Sequence, residues 1–255
     1  MRTCNYTELV NINMNGNAKE FSRERFYHYS NVSKIKSILE NNEIWLTRLD
    51  STNLNDLDEN DLNYNDPKKI YSVSFCNSNI DVLPMWLLYG GLEQQGCALA
   101  ITQGGFRDWI SSINVIRAFN FDSESKSYDK GVELFNDHFS VEYGWIRYKK
   151  GNRYRCRGKY AIQQKDESIL QKDEIFIKRE QWHYEKEFRL VIIMNDIIDY
   201  NRVAIPITNL KNNKKRILLS PEITDKETYR TEFELYGISK VDQSDLRCNF
   251  HLNDR

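Results

Sequence analysis

A chain of 255 residues with 36 basic and 37 acidic side chains has no net charge that would draw it as a whole onto nucleic acid or a membrane surface. Its five cysteines are scattered, odd in number and form no Cys-x-x-Cys pair, which argues against a disulfide framework or a structural zinc site. The four histidines include no pair spaced for a helical metal site, and no apolar run approaches ~18 residues. With no signal-like N-terminus, these features predict a soluble, cytoplasmic protein.

The N-terminal part of the sequence predicts an arm followed by short strands and a helix. Residues 1–20 are rich in asparagine and have no apolar periodicity, so we expect a loosely attached arm and a single domain over 21–255. An aromatic strand is expected at 26–30. It is followed by a helix over 32–39 with a 3.6-residue apolar period and by an alternating strand at 43–49.

The rest of the chain predicts further short strands and few helices. Strands are expected at 70–76, 97–101, 113–119, 143–148, 190–194, 203–207 and 216–219, and helices at 84–89, 128–139, 170–179 and 227–235. Because the strands do not alternate regularly with helices, the predicted fold class is α+β. We expect one domain with a mixed or mainly antiparallel sheet and flanking helices.

Two polar segments are candidates for ligand binding. The loop 51–67 contains Asp56-x-Asp58-x-Asn60, which is similar to a calcium loop but lacks the central glycine and the closing glutamate, so calcium binding is not expected. The tract 149–160 interleaves basic residues with tyrosines. Such mixtures suit nucleic-acid backbones and stacked bases, although a tract this short in a neutral chain is more often a solvated loop.

The segment 181–194 carries the most reactive side chains. Its second half is apolar and predicts a buried strand. Residues two apart on an extended chain share a face, so Glu185 and Glu187 are expected to project together near Arg189. Two like charges beside an apolar wall shift carboxyl pKa values. The alternative is a solvated strand end whose acids pair with basic neighbours.

Several motifs occur together in an order that resembles a widespread bacterial family of unknown function. They are Tyr27-His28-Tyr29, Asn55-Asp56, Met85-Trp86-x-x-Tyr89 and Ile177-Lys178-x-x-x-Trp182-x-x-Glu185-x-Glu187-Phe188-Arg189. The resemblance covers roughly residues 24–245. The chain departs from it at Leu57, where the family tends to have proline, and in the segment between 143 and 170. Membership of that family implies no particular reaction.

The same order is more distantly similar to the ADP-ribosyltransferase superfamily, whose enzymes grip NAD with a split antiparallel sheet. In that superfamily a His or Arg on the first strand binds the cofactor, a Ser or Tyr lies on a middle strand, and a Glu lies on a later strand, often within Glu-x-Glu. The resemblance implies that Glu187 handles the NAD ribose and that Glu185 orients an acceptor. It implies NAD contacts for a set of six further residues: His28, Tyr29, Ser74, Trp86, Tyr89 and Arg189.

This residue chemistry suits cleavage of NAD. Breaking the nicotinamide–ribose bond builds positive charge on the sugar, which a carboxylate can stabilise. Each candidate also has a structural interpretation. His28 can be a satisfied structural histidine, Trp86 and Tyr89 can be core residues at helical spacing, and Ser74 can be a cross-strand partner.

The leading hypothesis is therefore an NAD-consuming, ADP-ribosyltransferase-like enzyme that needs no metal. We expect a bacterial toxin or anti-phage effector that modifies a macromolecule, with an antitoxin or defence partner and no membrane partner. A second hypothesis is a metal-dependent nuclease or phosphohydrolase, with magnesium ligands at Asp56, Asp58, Glu185 and Glu187. A third is a non-enzymatic nucleic-acid-binding module that uses the tract 149–160.

Overall fold

A computed structural model describes residues 25–50, 67–77, 82–90, 95–151, 174–195 and 200–246, and the backbone of strands at 4–5, 153–156 and 159–162. The α-helices that lie wholly within these ranges are α1 (Val32–Asn41), α2 (Leu83–Tyr89), α3 (Gln103–Ser111) and α4 (Lys226–Glu234). Short 3₁₀ helices cover Pro67–Lys69, Glu180–Glu185 and Asn212–Lys214. None of the helices in the described ranges is both long and apolar enough to cross a membrane.

Strands make up most of the regular structure. They are β1 (Cys4–Asn5), β2 (Arg25–Asn31), β3 (Glu43–Arg48), β4 (Ile70–Asn77), β5 (Gly96–Thr102), β6 (Val115–Phe119), β7 (Phe121–Asp122), β8 (Ser127–Tyr128), β9 (Val132–Phe135), β10 (Phe139–Trp145), β11 (Arg147–Lys150), β12 (Arg153–Cys156), β13 (Lys159–Ile162), β14 (Ile177–Arg179), β15 (Glu187–Met194), β16 (Arg202–Pro206), β17 (Lys215–Leu219) and β18 (Val241–Gln243).

The described strands form a large sheet, a small sheet of five strands and the two-stranded sheet β7-β8. The large sheet has the order β18-β17-β5-β2-β4-β3-β16-β6-β9, with β15 also beside β4 and β10 beside β15. Its pairs are antiparallel except β17–β18. The small sheet has the order β1-β13-β12-β11-β14 and is parallel at both outer pairs. The fold is therefore α+β with mixed, mainly antiparallel sheets, as the sequence predicts.

The large sheet splits at β4. One edge of β4 pairs with β15 along its length, from Ile70 to Cys76. The other edge is shared, because β2 pairs with the end at Cys76 whereas β3 pairs only as far as Ser72. Neither strand pairs with Ser74, and Ser74 alone among the eight residues of β4 is exposed. A crevice thus opens between β2 and β3 in the middle of the sheet.

An aromatic core fixes the sheet on the side of α3. The ring of Phe106 on α3 stacks on Phe26 of β2 at a centroid distance of 4.1 Å and meets Phe75 and Phe188 edge-on at 4.8 and 5.5 Å. Edge-to-face pairs of this kind stabilise by about 0.5–1.5 kcal/mol each beyond their area burial. Through these three contacts, Phe106 joins β2, β4 and β15, the three strands around the split.

One predicted helix is wrong and another is wrong at its end. Residues 128–139 form parts of β8, β9 and β10. Gly131 has a positive φ of 72°, which interrupts a helix, and Leu134 is the one buried residue of β9. The predicted helix 170–179 is wrong at 177–179, which form strand β14. Glu174 is helical, and residues 170–173 lie outside the described ranges.

The tract 149–160 is also different from expectation. Most of its described residues belong to the strands β11, β12 and β13, which pair antiparallel in sequence order and therefore do not form a loop. Of the predicted arm 1–20, the described part is Cys4–Asn5, which pairs with β13, and the calcium-like loop lies outside the described residues. The arm and the domain boundary at residue 21 stay predictions.

Candidate active site

A cavity of about 180 Å³ lies at the split in the large sheet. Its walls come from β2, β3, β4 and β15, with α2 and β14 closing one side. The side chains that decide its chemistry are Tyr27, His28, Ser74, Lys178, Glu185 and Glu187. Two sheets, one α-helix and one 3₁₀ helix therefore contribute side chains to one small cavity.

Glu187 is a buried carboxylate held by two cations and a hydroxyl. It is the first residue of β15 and is 2% exposed. Its Oε1 accepts hydrogen bonds from Ser74 Oγ at 2.5 Å and from Arg189 Nε at 2.7 Å, and its Oε2 lies 2.8 Å from Lys178 Nζ. Burial alone would raise the pKa of Glu187, but Arg189 and Lys178 outweigh burial and hold it well below its usual range. Glu187 is therefore ionised at neutral pH.

The strand register explains why these groups meet. Arg189 lies directly opposite Ser74 across β15 and β4, and Glu187 lies two residues before Arg189. Positions two apart on a strand share a face, so the three side chains project together. The backbone nitrogen of Glu187 also donates to Tyr148 Oη at 2.8 Å, which anchors the start of β15 to the small sheet.

Glu185 reaches the same site by a different route from the one predicted. It ends a 3₁₀ helix, and Lys186 turns the chain through a left-handed conformation (φ 43°, ψ 49°) before β15 begins. The extended Glu-x-Glu geometry predicted from the sequence is therefore wrong, although the two acids do converge. Glu185 Oε1 accepts from Tyr89 Oη at 2.6 Å, and Oε2 accepts from Lys178 Nζ at 2.9 Å.

The two acids have opposite pKa shifts. Burial raises the pKa of Glu185; the charge of Glu187 adds to that rise and Lys178 opposes it. Glu187 has Arg189 as a second cation, whereas Glu185 has the neutral hydroxyl of Tyr89. Pairs of carboxyls driven apart in this way can divide acid–base and electrostatic roles between them.

Lys178 is the site residue that the sequence analysis missed. It lies on β14 in the small sheet, is buried, and bridges both carboxylates while its Nζ lies 5.5 Å from the centroid of the Trp182 ring. Its pairing joins two sheets, so no local pattern shows it. The sequence feature that could have indicated a role for Lys178 was its place in the motif Ile177-Lys178-x-x-x-Trp182.

His28 enters the split from β2 and contacts Ser74. Its Nδ1 lies 3.2 Å from the carbonyl oxygen of Ser74. Since a carbonyl oxygen only accepts, this hydrogen bond places the proton on Nδ1 and leaves Nε2 as an acceptor. Burial lowers the pKa of His28, and the charge of Lys34 adds to this while the hydrogen bond to Ser74 opposes it. The imidazole is therefore neutral at neutral pH.

Of the other predicted cofactor contacts, some line the cavity and one does not. Tyr29 and Tyr89 line the cavity, but the hydroxyl of Tyr89 is committed to Glu185. Arg189 lines the cavity, but it is buried and its Nε donates to Glu187 Oε1. Trp86 is not among the lining residues; it is buried and meets Tyr29 edge-on at 4.7 Å, which matches its structural interpretation.

The site does not resemble a magnesium centre. Lys178 occupies the position between Glu185 and Glu187 that a shared metal ion would need. Within the described ranges, no three His, Cys, Asp or Glu side chains are grouped to hold a metal. The other two proposed ligands, Asp56 and Asp58, lie outside the described residues.

Comparisons with known proteins add one distant likeness. No protein-family model and no curated protein matches the chain, so the resemblance to a bacterial family stays a prediction. A solved structure of DarT from Thermus sp. 2.9 in complex with NAD+ is similar over 86% of this chain and 94% of that chain, with 9% identity and a TM-score of 0.35. A likeness at this level establishes neither a common fold nor a common activity.

Proposed function

We propose that the protein is an ADP-ribosyltransferase-like enzyme that cleaves the nicotinamide–ribose bond of NAD. The observation that carries the proposal is the contact series His28–Ser74–Glu187, which three neighbouring strands bring together across the split. These residues are far apart in sequence, and they are the His, Ser and Glu positions that the superfamily resemblance implies.

In this proposal, each group has a role in bond cleavage. As nicotinamide leaves, positive charge develops on the ribose, and the ionised Glu187 in a water-poor wall stabilises it. Arg189 and Ser74 hold that carboxylate in place, so little reorganisation is needed during the reaction. The free Nε2 of His28 can accept a hydrogen bond from a sugar hydroxyl.

In this proposal, Glu185 acts on the acceptor. Its raised pKa and its position beside Glu187 suit a group that takes a proton from an attacking hydroxyl or amine. The acceptor in this proposal is a macromolecule, and the wider role is that of a toxin or anti-phage effector controlled by a partner.

Release of nicotinamide from NAD tests the proposal. Wild-type protein is expected to release nicotinamide, and Glu187→Gln is expected to lower kcat by about a hundredfold or more, because the amide keeps the shape but lacks the charge. The melting temperature of each variant shows whether it remains folded.

Glu43→Gln is the matched control. Glu43 is also a buried strand glutamate with an ion pair, to Arg117 Nη1 at 2.7 Å, but it does not line the cavity. It is expected to lose stability and keep turnover. Full turnover in folded Glu187→Gln contradicts the assignment, and magnesium-dependent cleavage of nucleic acid without nicotinamide release favours the hydrolase instead.

A further inference from the structure

The cavity is too small for a whole dinucleotide. Pockets that enclose a drug-sized ligand usually measure about 300–1,000 Å³, whereas this cavity measures about 180 Å³. It suits the nicotinamide riboside end, whose reacting bond must lie near Glu187. The adenine end must therefore lie on a surface that continues from the cavity wall.

Aromatic side chains form such a surface. Trp45 of β3 lines the cavity, its ring meets Tyr128 edge-on at 5.2 Å, and Tyr128 meets Phe121 edge-on at 5.3 Å. We call Trp45, Phe119, Phe121 and Tyr128 the aromatic surface. It leads from the cavity wall to rings that are open to solvent, since Tyr128 is 38% and Phe121 is 46% exposed.

The fold holds these rings in fixed positions. Phe119, at the end of β6, stacks under Trp45 at 4.6 Å, and Gly131 makes room for it because a Cβ there would lie 2.5 Å from the Phe119 ring. Phe121 and Tyr128 lie opposite each other in the β7–β8 hairpin. A guanidinium adjoins the open end, where Arg202 Nε donates to Tyr128 Oη at 3.2 Å.

Exposed rings beside a guanidinium suit a flat base with phosphates next to it. Aromatic faces bind bases by stacking, and arginine binds phosphate oxygens. We propose that the aromatic surface binds the adenine end of the dinucleotide while the cavity holds its nicotinamide end. This inference rests on the proposed function for the identity of the ligand. A stacked base of a nucleic-acid acceptor is the competing occupant.

Binding of the two halves of NAD tests the inference without any turnover. Calorimetry with AMP and with nicotinamide mononucleotide compares wild type with the double variant Phe121→Ala/Tyr128→Ala. We expect the double variant to bind AMP about tenfold more weakly, which is the order of one lost stacking contact. Its affinity for nicotinamide mononucleotide is expected to stay unchanged.

Two further variants separate stacking from folding. Tyr128→Phe keeps the ring and is expected to keep AMP binding. Phe135→Ala removes another exposed aromatic, 57% exposed on β9, that is not one of the four rings, and it is expected to leave both affinities unchanged. Melting temperatures show whether the hairpin substitutions disturb the fold.

Several outcomes overturn the inference. Equal AMP affinity in wild type and the double variant does so. Wild type that binds no AMP at about 10 mM also overturns it, because a millimolar dissociation constant would already give near-full occupancy at that concentration. If a single-stranded oligonucleotide binds there instead of AMP, the occupant is a base of a nucleic-acid acceptor. If AMP binds at the aromatic surface but wild type releases no nicotinamide from NAD, the proposed function fails and the adenine site stands.

Discussion

At the scale of single residues, Glu185 and Glu187 share one ammonium but differ in their other partners. Glu187 is fixed by Arg189 and Ser74, whereas Glu185 accepts only the hydroxyl of Tyr89 besides Lys178 among the contacts described above. A charge that stabilises the transition state must stay ionised, and a group that moves a proton must be able to hold one. Under the proposed function, the difference in partners favours contact with the ribose for Glu187 and contact with the acceptor for Glu185.

Glu185→Gln tests that division. The variant is expected to lose transfer of ADP-ribose to a macromolecule but to keep part of its NAD hydrolysis, because water can still reach the activated sugar. The measurement compares nicotinamide release with incorporation of labelled ADP-ribose. If both activities fall to the level of Glu187→Gln, the two acids act as one unit. If neither falls, Glu185 has no part in the reaction.

His28 predicts a pH dependence of stability. Burial holds its pKa in the folded state below its ordinary value of 6.5, so below that pH the unfolded chain takes up a proton that the folded protein resists. The free energy of unfolding is therefore expected to fall as the pH is lowered through 6.5 towards the folded pKa. Urea titrations at several pH values measure this effect, and a His28→Gln variant with the same pH profile as wild type contradicts it.

His28 also has a predicted role in binding. If it contacts NAD, His28→Ala is expected to weaken the affinity for NAD more than it lowers the melting temperature. Isothermal calorimetry on Glu187→Gln with and without His28→Ala separates binding from turnover. Unchanged affinity with a large loss of stability establishes a structural histidine.

Sequence alone located both acids but could not give their geometry. Two glutamates beside an apolar strand predicted a candidate site, since burial of such a strand draws its neighbours inward, and both acids do line the cavity. The left-handed turn at Lys186, which no propensity requires of a lysine, decides how Glu185 points. Lys178 and Tyr148 belong to pairings between the two sheets, and such contacts leave no local pattern.

At the scale of elements, Lys178 ties β14 of the small sheet to β15 of the large sheet. Removing one member of a buried ion pair leaves an uncompensated charge and costs about 3–5 kcal/mol. Lys178→Met is therefore expected to destabilise the protein by about that amount near pH 8. Without the ammonium, the pKa of Glu185 rises further above its unfolded value, so the loss is smaller at acid pH, where Glu185 is protonated, and grows as the pH rises.

Lys215→Met is the control for this prediction. Lys215 on β17 is also buried, does not line the cavity, and has a pKa lowered by burial. Its replacement by an apolar side chain is expected to change stability little. Equal losses for the two variants, or a loss for Lys178→Met that does not depend on pH, contradict the bridging role of Lys178.

The elements that sequence predicted best are those with a strong apolar pattern. The run at 190–194 and the helical period at 32–39 match β15 and α1. The segment 128–139 failed because it is mostly exposed, with Leu134 and Phe139 as its buried residues, so its pattern was too weak to separate strand from helix. Tertiary pairing with β6 and β15 decides its structure instead.

At the scale of the whole molecule, the site depends on where the large sheet divides. The exposed Ser74 in an otherwise buried strand marks the opening, and β2, β3 and β15 surround it. Sequence predicted the strands but not this split, because the split follows from which strands share an edge of β4. The expectation of a split sheet came only from the resemblance to a superfamily whose enzymes have one.

A crystal structure of Glu187→Gln soaked with NAD tests the central claim most directly, because the variant is expected to bind NAD without consuming it. The account predicts the nicotinamide ribose in the cavity at the split, within about 3.2 Å of the side-chain oxygen or nitrogen at position 187, and with His28 and Ser74 beside it. NAD bound elsewhere on the protein, or an empty cavity at saturating NAD, would contradict it.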